Sequence, residues 1–364
     1  MLASPAPRLA VVHDALINSG GAERVLTYIH EAFPDAPIYT AAYLPERTFS
    51  RLRHATIIPL WGSQLVKTEA QFKKLFPLWV IGFARLDLSE FDVVLTSTTW
   101  GAKFVPHDAS VRHVSYCYAP NRLLWFPEAY RSSHAPVGVL SRLVDLARGP
   151  LRVLDSRATR KIDRLATTCR NMANAIASCY GMRARIIYPP VRLADYDVTT
   201  EPGDFYLSVS RLMSHKRIDL AIEACCQLGR KLVVVGDGPE ASRLRALSRG
   251  AVTFLGRVSD RELRGLYAAC RAVIFPSDED FGLVPLETQA AGRPVIAYAS
   301  GGALETVMPD RTGLFFTEQT TEAVVEAMER FERMQFDPAV IRDAMARFTP
   351  ERFTQELHDF VLAA

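Results

Sequence analysis

Between Ala272 and Val307 the chain alternates short apolar runs with stretches of helix formers, separated by loops. Ala272-Val273-Ile274-Phe275 is a buried-strand run ended by Pro276 and Ser277. Pro285 suits a first helical position, Leu286 to Ala291 continue the helix, and Gly292 with Pro294 closes it. Val295-Ile296-Ala297-Tyr298 reads as the next strand and leads to Gly301-Gly302 and a second helix start at Ala303. Strands joined through helices run parallel, so the stretch restricts the chain to an α/β architecture with helices packed on a sheet.

The same stretch concentrates polar chemistry. Phe281, Gly282 and Leu283 fall just before a helix N-terminus, where free N–H groups and the positive dipole end favour an anion. Glu287 falls in the first helical turn, and Glu279 precedes it by eight positions. A solvated acidic loop between strand and helix is the plain alternative. The spacing E-x7-E with F-G-L inside it resembles the retaining glycosyltransferases of family four, which have the GT-B fold. That resemblance implies that Glu287 holds the ribose hydroxyls of a nucleotide-sugar donor. It further implies that the Phe281 to Leu283 amides hold its phosphate and sugar, and that Glu279 contacts the reacting hexose.

Two further stretches fit. Arg8 to His13 is an apolar strand running through Asp14 into Gly20-Gly21 and a helical Ala22 to Phe33, a β-loop-α unit whose glycines let backbone approach a phosphate. Ser210 to Arg217 carries R-x4-K at Arg211 and Lys216, which resembles the family's pair of diphosphate-holding cations. A departing nucleoside diphosphate gains negative charge as its glycosidic bond breaks, so fixed cations act where charge develops. Surface cations at a helix start are the plain alternative. No D-x-D metal site lies in a suitable loop, and no cofactor or metal is expected.

Tyr116 to Trp125 resembles Y-C-H-T-P-x-R followed by Trp, a stretch of one bacterial branch of the family. Tyr118 stands where that branch has a sugar-contacting His, and is expected to face the hexose. Arg122 and Trp125 match, implying acceptor-side contacts, with packing as the alternative for Trp125. Gly236-Asp237-Gly238-Pro239-Glu240-Ala241 also reads as G-x-G-x-x-A, a dinucleotide fingerprint. It lies mid-domain, however, and G-D-G-P is also found there in the family. By resemblance, the loop at Val258 lines the base pocket.

Length and composition agree with a globular protein. The chain has 364 residues, 49% of them hydrophobic and 23% charged, enough for two domains. A net charge of +3 argues against a nucleic-acid binder. Six cysteines without C-x-x-C or His at metal spacing read as reduced, mostly buried thiols. The N-terminal segment reads as neither signal peptide nor anchor, and no run reaches the ~18 apolar residues of a bilayer span. Two features suggest an anionic membrane surface: Lys73-Lys74 among Phe72, Phe76 and Trp79, and nine Lys/Arg against three Asp between Arg131 and Arg170. A core helix with lysines at its edge and a solvated basic face are the respective alternatives.

Other strands are expected at Ile38 to Ala42, Thr56 to Leu60, Asp92 to Thr96, Arg112 to Tyr118, Phe205 to Val209 and Lys231 to Val235, with one helix over Glu69 to Arg85. Tyr188-Pro189-Pro190-Val191 reads as an extended connector. The expected organisation is two Rossmann-like doubly wound parallel-sheet domains facing a cleft. An acceptor-binding domain covers 1–186, a nucleotide-sugar-binding domain 187–348, and residues 349–364 form a helix crossing back to the first.

The resemblance implies a hexosyltransferase using a nucleotide sugar, with GDP-mannose the first choice, and a polyprenyl-diphosphate-linked or saccharide acceptor in bacterial polysaccharide synthesis. The implied location is cytoplasmic, peripheral on the inner face of the cytoplasmic membrane. An epimerase on the same fold and a nucleotide-sugar-binding protein without catalysis are the rival readings.

Overall fold

The computed structural model describes residues 7–106, 108–127, 138–248, 250 and 252–363. They form two compact units, 7–127 with 138–190 and 351–363, and 191–350. The chain passes from the first to the second immediately after Pro189-Pro190.

The first unit is a seven-stranded parallel sheet of β1 (Leu9–His13), β2 (Ile38–Thr40), β3 (Ile57–Pro59), β4 (Val93–Thr98), β5 (Arg112–Cys117), β6 (Arg164–Thr167) and β7 (Ala184–Ile186). Its order is β3-β2-β1-β4-β5-β6-β7, so the order reverses between β1 and β4. In β1, Leu9 and Val11 join one core cluster while Ala10 and Val12 join another. Side chains alternate across a sheet, so this strand is buried on both faces, which explains its unbroken apolar run.

Helix Pro350–Leu362 seals one face. Phe353, Leu357, Phe360 and Val361 are buried among Leu26, Ile29, Leu95 and Val114, and the His358 ring stacks on Phe33 at 4.6 Å. The sequence places these four apolar groups on one side of that helix, and that side is the buried one.

The expected helix Glu69 to Arg85 is two helices, Glu69–Lys74 and Phe76–Phe83. Pro77 has no N–H to return to the carbonyl of residue 73, so the ladder breaks there. Phe72 and Trp79 are buried and stacked at 5.5 Å, and Trp79 Nε1 donates to the Phe72 carbonyl at 3.0 Å. These two aromatic groups are core, as the core-helix alternative has it, and offer no face to a membrane.

Several basic residues after Arg131 are engaged within the unit. Arg148 pairs with Asp145, the Arg152 guanidinium lies 5.1 Å from the Trp125 ring, and that of Arg164 lies 5.3 Å from Phe360. Arg131 itself lies outside the described residues, and so does the chain between Pro127 and Gly138.

The second unit holds β8 (Phe205–Val209), β9 (Lys231–Val235), β10 (Val252–Gly256), β11 (Ala272–Phe275), β12 (Val295–Tyr298) and β13 (Gly313–Phe316). All are parallel in the order β10-β9-β8-β11-β12-β13, reversing between β8 and β11. Loops at the carboxyl ends of the two strands flanking such a reversal diverge and leave a crevice. In this chain they are the loops carrying R-x4-K and Glu279.

No described helix is long and apolar enough to cross a membrane. All six cysteines are free thiols, four of them buried.

Candidate active site

In the second unit, the loop after β8 exposes Arg211 and ends in a short turn Ser214–Lys216, and the loop after β11 carries Glu279. Lys216 Nζ lies 2.6 Å from Glu279 Oε1, and Ser277 Oγ donates to the same oxygen at 3.0 Å. The backbone of the Glu279 loop is held from below: Gly302 N–H donates to the Glu279 carbonyl at 3.0 Å, and a Cβ on Gly302 would overlap Phe281 backbone. Only glycine permits that approach, which accounts for Gly301-Gly302 in the sequence.

Helix Leu283–Ala290 begins earlier than expected. Gly282, at φ 80°, is its N-cap, so Pro285 is the third helical residue and Glu287 lies in the second turn. Pro is tolerated there because the first N–H groups of a helix have no intrahelical acceptor. The N-terminus therefore opens at Phe281, Gly282 and Leu283, where the sequence places the anion-binding amides. The Phe281 side chain is buried and sits edge-on to Phe348 at 6.2 Å.

Glu287 is 6% exposed and accepts from the Tyr267 hydroxyl at 2.9 Å. A carboxylate this buried needs hydrogen-bond donors, and Tyr267 supplies one. Val258 lines an open depression of about 470 Å³ with Leu255, Arg257, Glu262, Gly265 and Leu266.

The Gly236 to Glu240 turn serves the cation loop. Gly236 has φ 124°, and its missing Cβ leaves room for the Ser210 carbonyl. Leu212 N–H donates to the Asp237 carbonyl at 3.0 Å, and Glu240 N–H to the Leu212 carbonyl at 3.1 Å. A packing requirement explains these glycines without a dinucleotide.

In the first unit, Gly20 is the N-cap and Gly21 the first residue of helix Gly21–Ala32, and Gly20 N–H donates to Glu23 Oε2 at 3.0 Å. Burial pushes the Glu23 carboxyl up to about 7 against the pull of that N–H, with Asp14 adding to the rise. The half-buried Tyr118 follows β5; its hydroxyl donates to the Ala22 carbonyl at 3.0 Å and lies 2.9 Å from Ser97 Oγ. Ser97 Oγ in turn lies 3.0 Å from His13 Nδ1. With the Tyr118 proton on the Ala22 carbonyl, Ser97 donates to Tyr118 and His13 donates to Ser97, so Nδ1 carries a proton. Burial, outweighing the Asp14 charge, keeps His13 well below its ordinary pKa. Tyr118 thus ties β5 to the start of the glycine-led helix.

Sequence reasoning passed over Asp14 and the pair Lys103–Asp155. The buried Asp14 carboxylate accepts from Thr98 Oγ1 at 2.8 Å and from the amides of Thr99, Trp100, Gly101 and Ala102 at 2.6–3.0 Å, fixing the loop after β4. Its place directly after β1, at the reversal point, is the sequence signal. Lys103 Nζ lies 2.6 Å from Asp155 Oδ1, both about 2% exposed or less. Asp155 Oδ2 accepts from Tyr180 and from Trp125 Nε1, each at 2.8 Å. Trp125 is therefore anchored in a buried network, as the packing alternative has it, while Arg122 is half-buried at the start of its short helix. Nothing in the spacing of 103 and 155 announces this pair.

Comparison with known proteins adds the chemistry. Residues 198–348, which contain every second-unit group above, match the family described as glycosyl transferases group 1. Along 98% of its length the chain is 27% identical to the human alpha-1,3/1,6-mannosyltransferase ALG2, covering 96% of that protein. Over 33% of its length it is 36% identical to the GDP-mannose-dependent alpha-(1-6)-phosphatidylinositol monomannoside mannosyltransferase of Mycobacterium tuberculosis, covering 36% of that enzyme. The fold is also that of sucrose-phosphate synthase from Thermosynechococcus elongatus, at TM-score 0.75 and 20% identity, covering 97% of this chain and 98% of that one. The chain therefore has the two-sheet fold of its GT-B neighbours and is similar to mannosyltransferases.

Proposed function

We propose that the protein transfers mannose from GDP-mannose, with retention and without a divalent ion, to a lipid-linked or saccharide acceptor in bacterial polysaccharide synthesis. One observation carries the reading: Lys216 and Glu279 meet at 2.6 Å at the carboxyl-end crevice of a group 1 glycosyl transferase sheet. The mannosyltransferase homologues support the sugar, and the name of the mycobacterial one supports the base.

In this reading Arg211 and Lys216 hold the donor diphosphate, the Phe281 to Leu283 helix start adds its dipole, and Glu287 binds the ribose. Val258 borders the base. The acceptor oxygen attacks the anomeric carbon on the face the diphosphate leaves. The C1–O bond to phosphate breaks, and a β-phosphate oxygen takes the acceptor proton. Glu279 orients the hexose and stabilises positive charge developing at C1. A lipid-linked acceptor places the protein at the inner face of the cytoplasmic membrane.

The test is a thermal-shift panel of GDP, UDP, ADP and their sugars, followed by NMR of the product formed on a polyprenyl-diphosphate-linked saccharide. A ligand at 100 times its Kd adds ~2.7 kcal/mol of stability. Stabilisation by GDP-mannose and an anomeric coupling unchanged from the donor's are expected. Stabilisation by UDP-sugars alone overturns the donor, and inversion overturns the mechanism.

A further inference from the structure

Burial of Phe72 and Trp79 removes them from any membrane face, but it leaves other apolar groups of the same unit outside. Trp61 is 85% exposed, Leu65 60%, Leu78 49% and Ile81 48%. Single exposed apolar residues are ordinary; four on adjoining elements are not. Leu60 lies over Gly82, and the Trp79 ring lies beneath Gly62, so the turn after β3 is seated on helix Phe76–Phe83. Leu78 and Ile81 are three apart on that helix and share its outer side.

The rim is basic. From Leu60 to Leu86 the chain has four cations, Lys67, Lys73, Lys74 and Arg85, against one carboxylate, Glu69. Lys67, Lys74 and Arg85 are exposed. A second copy of the chain would bring this rim against itself, because a two-fold contact pairs each patch with its own image. An anionic surface meets no such repulsion. Asp87 and Glu90, the next carboxylates along the chain, bear instead on the Tyr39 hydroxyl.

We propose that Trp61, Leu65, Leu78 and Ile81 form a docking face for an anionic phospholipid bilayer, with Lys67, Lys74 and Arg85 contacting the headgroups. Indole and branched aliphatic groups enter the interfacial region while ammonium and guanidinium groups stay at headgroup level. The lipid-linked acceptor of the proposed function gives such a face a use. Its binding is measured with neither donor nor acceptor present, so failure here leaves glycosyl transfer standing.

The test is co-sedimentation of the full chain with vesicles of phosphatidylcholine alone or with one-third phosphatidylglycerol, alongside tryptophan emission. Binding to the anionic vesicles, weakened by salt, with a blue shift absent in Trp61→Phe, is expected. The triple variant Trp61→Ser/Leu78→Ser/Ile81→Ser should lose roughly tenfold or more in partitioning with little change in Tm. Equal sedimentation with neutral vesicles, wild-type binding by the triple variant, or a dimer that the triple variant abolishes would each overturn the assignment. A second variant, Lys67→Gln/Lys74→Gln/Arg85→Gln, should reduce only the anionic increment, and unchanged binding in it also overturns the headgroup contacts.

Discussion

Lys216 and Glu279 hold each other at 2.6 Å from neighbouring loops, with Ser277 sharing the same carboxylate oxygen. Each residue is thereby pre-set on one side of the crevice. Charge-assisted contacts are worth roughly 1.5–3 kcal/mol, so Lys216→Ala should weaken nucleoside diphosphate binding by about 10- to 100-fold in calorimetry. Glu279→Gln should leave donor affinity within about threefold while lowering kcat more than tenfold, the pattern of an interaction made mainly in the transition state.

Glu287 and Tyr267 act as a unit. Glu287→Ala should raise the donor KM through loss of the ribose contact, with kcat less affected. Tyr267→Phe leaves a buried carboxylate short of one donor and should cost about 1–3 kcal/mol in urea unfolding, with a smaller rise in KM. Equal losses of kcat in both variants would contradict the ribose assignment.

Asp155→Ala strands the buried Lys103 charge and frees Trp125 and Tyr180 together. A loss of about 3–5 kcal/mol is expected in denaturant unfolding. Lys103→Met/Asp155→Leu removes both charges and should regain part of it. If Arg122 meets the acceptor, the double variant should raise the acceptor KM and leave the donor KM unchanged.

The pH dependence of stability follows from Glu23, whose folded-state pKa is raised from 4.5 to about 7. The folded state then binds its proton more tightly than the unfolded chain. This contribution is full below 4.5 and is lost as pH rises through about 7. Glu23→Gln should flatten the fall of Tm between pH 5 and 8 in calorimetry, because the amide stays neutral throughout.

In the proposed mechanism Arg211, Lys216 and the helix start at Gly282 supply the field that aids departure of the diphosphate, so chelator should leave the transfer rate within about twofold. A rate abolished by EDTA and restored by manganese would reject this.

Strands such as Ala272–Phe275 and Phe205–Val209 were readable because burial on both faces demands a continuous apolar run, and periodicity reports burial directly. The E-x7-E and R-x4-K loops were readable as neighbours because each motif lies within one short segment at the carboxyl end of a strand beside the reversal point, where Lys216 and Glu279 meet. The direction in which an amphipathic group points is not local information. Phe72 and Trp79 turn inward because Trp100 and Phe83 wait there, and nothing between residues 72 and 79 encodes that. Asp14 gathers donors from residues 98–102, and Lys103 finds Asp155, through contacts that exist only once strands have paired. The helix start at Gly282 was missed by two residues because Pro285 mimics a first position that a left-handed glycine had already set.

Helix Pro350–Leu362 belongs to the core of the first unit although residues 191–350 intervene. Translation therefore delivers the two units out of step with their completion. Residues 7–190 emerge first, yet their sheet must wait with Leu26, Ile29 and Tyr116 uncovered through the synthesis of 191–350, until Phe353, Leu357 and Phe360 arrive. Nascent chains stalled before residue 350 should be clients for chaperones through that one open face, and a ribosome pausing in the last turn of the message would prolong the exposure.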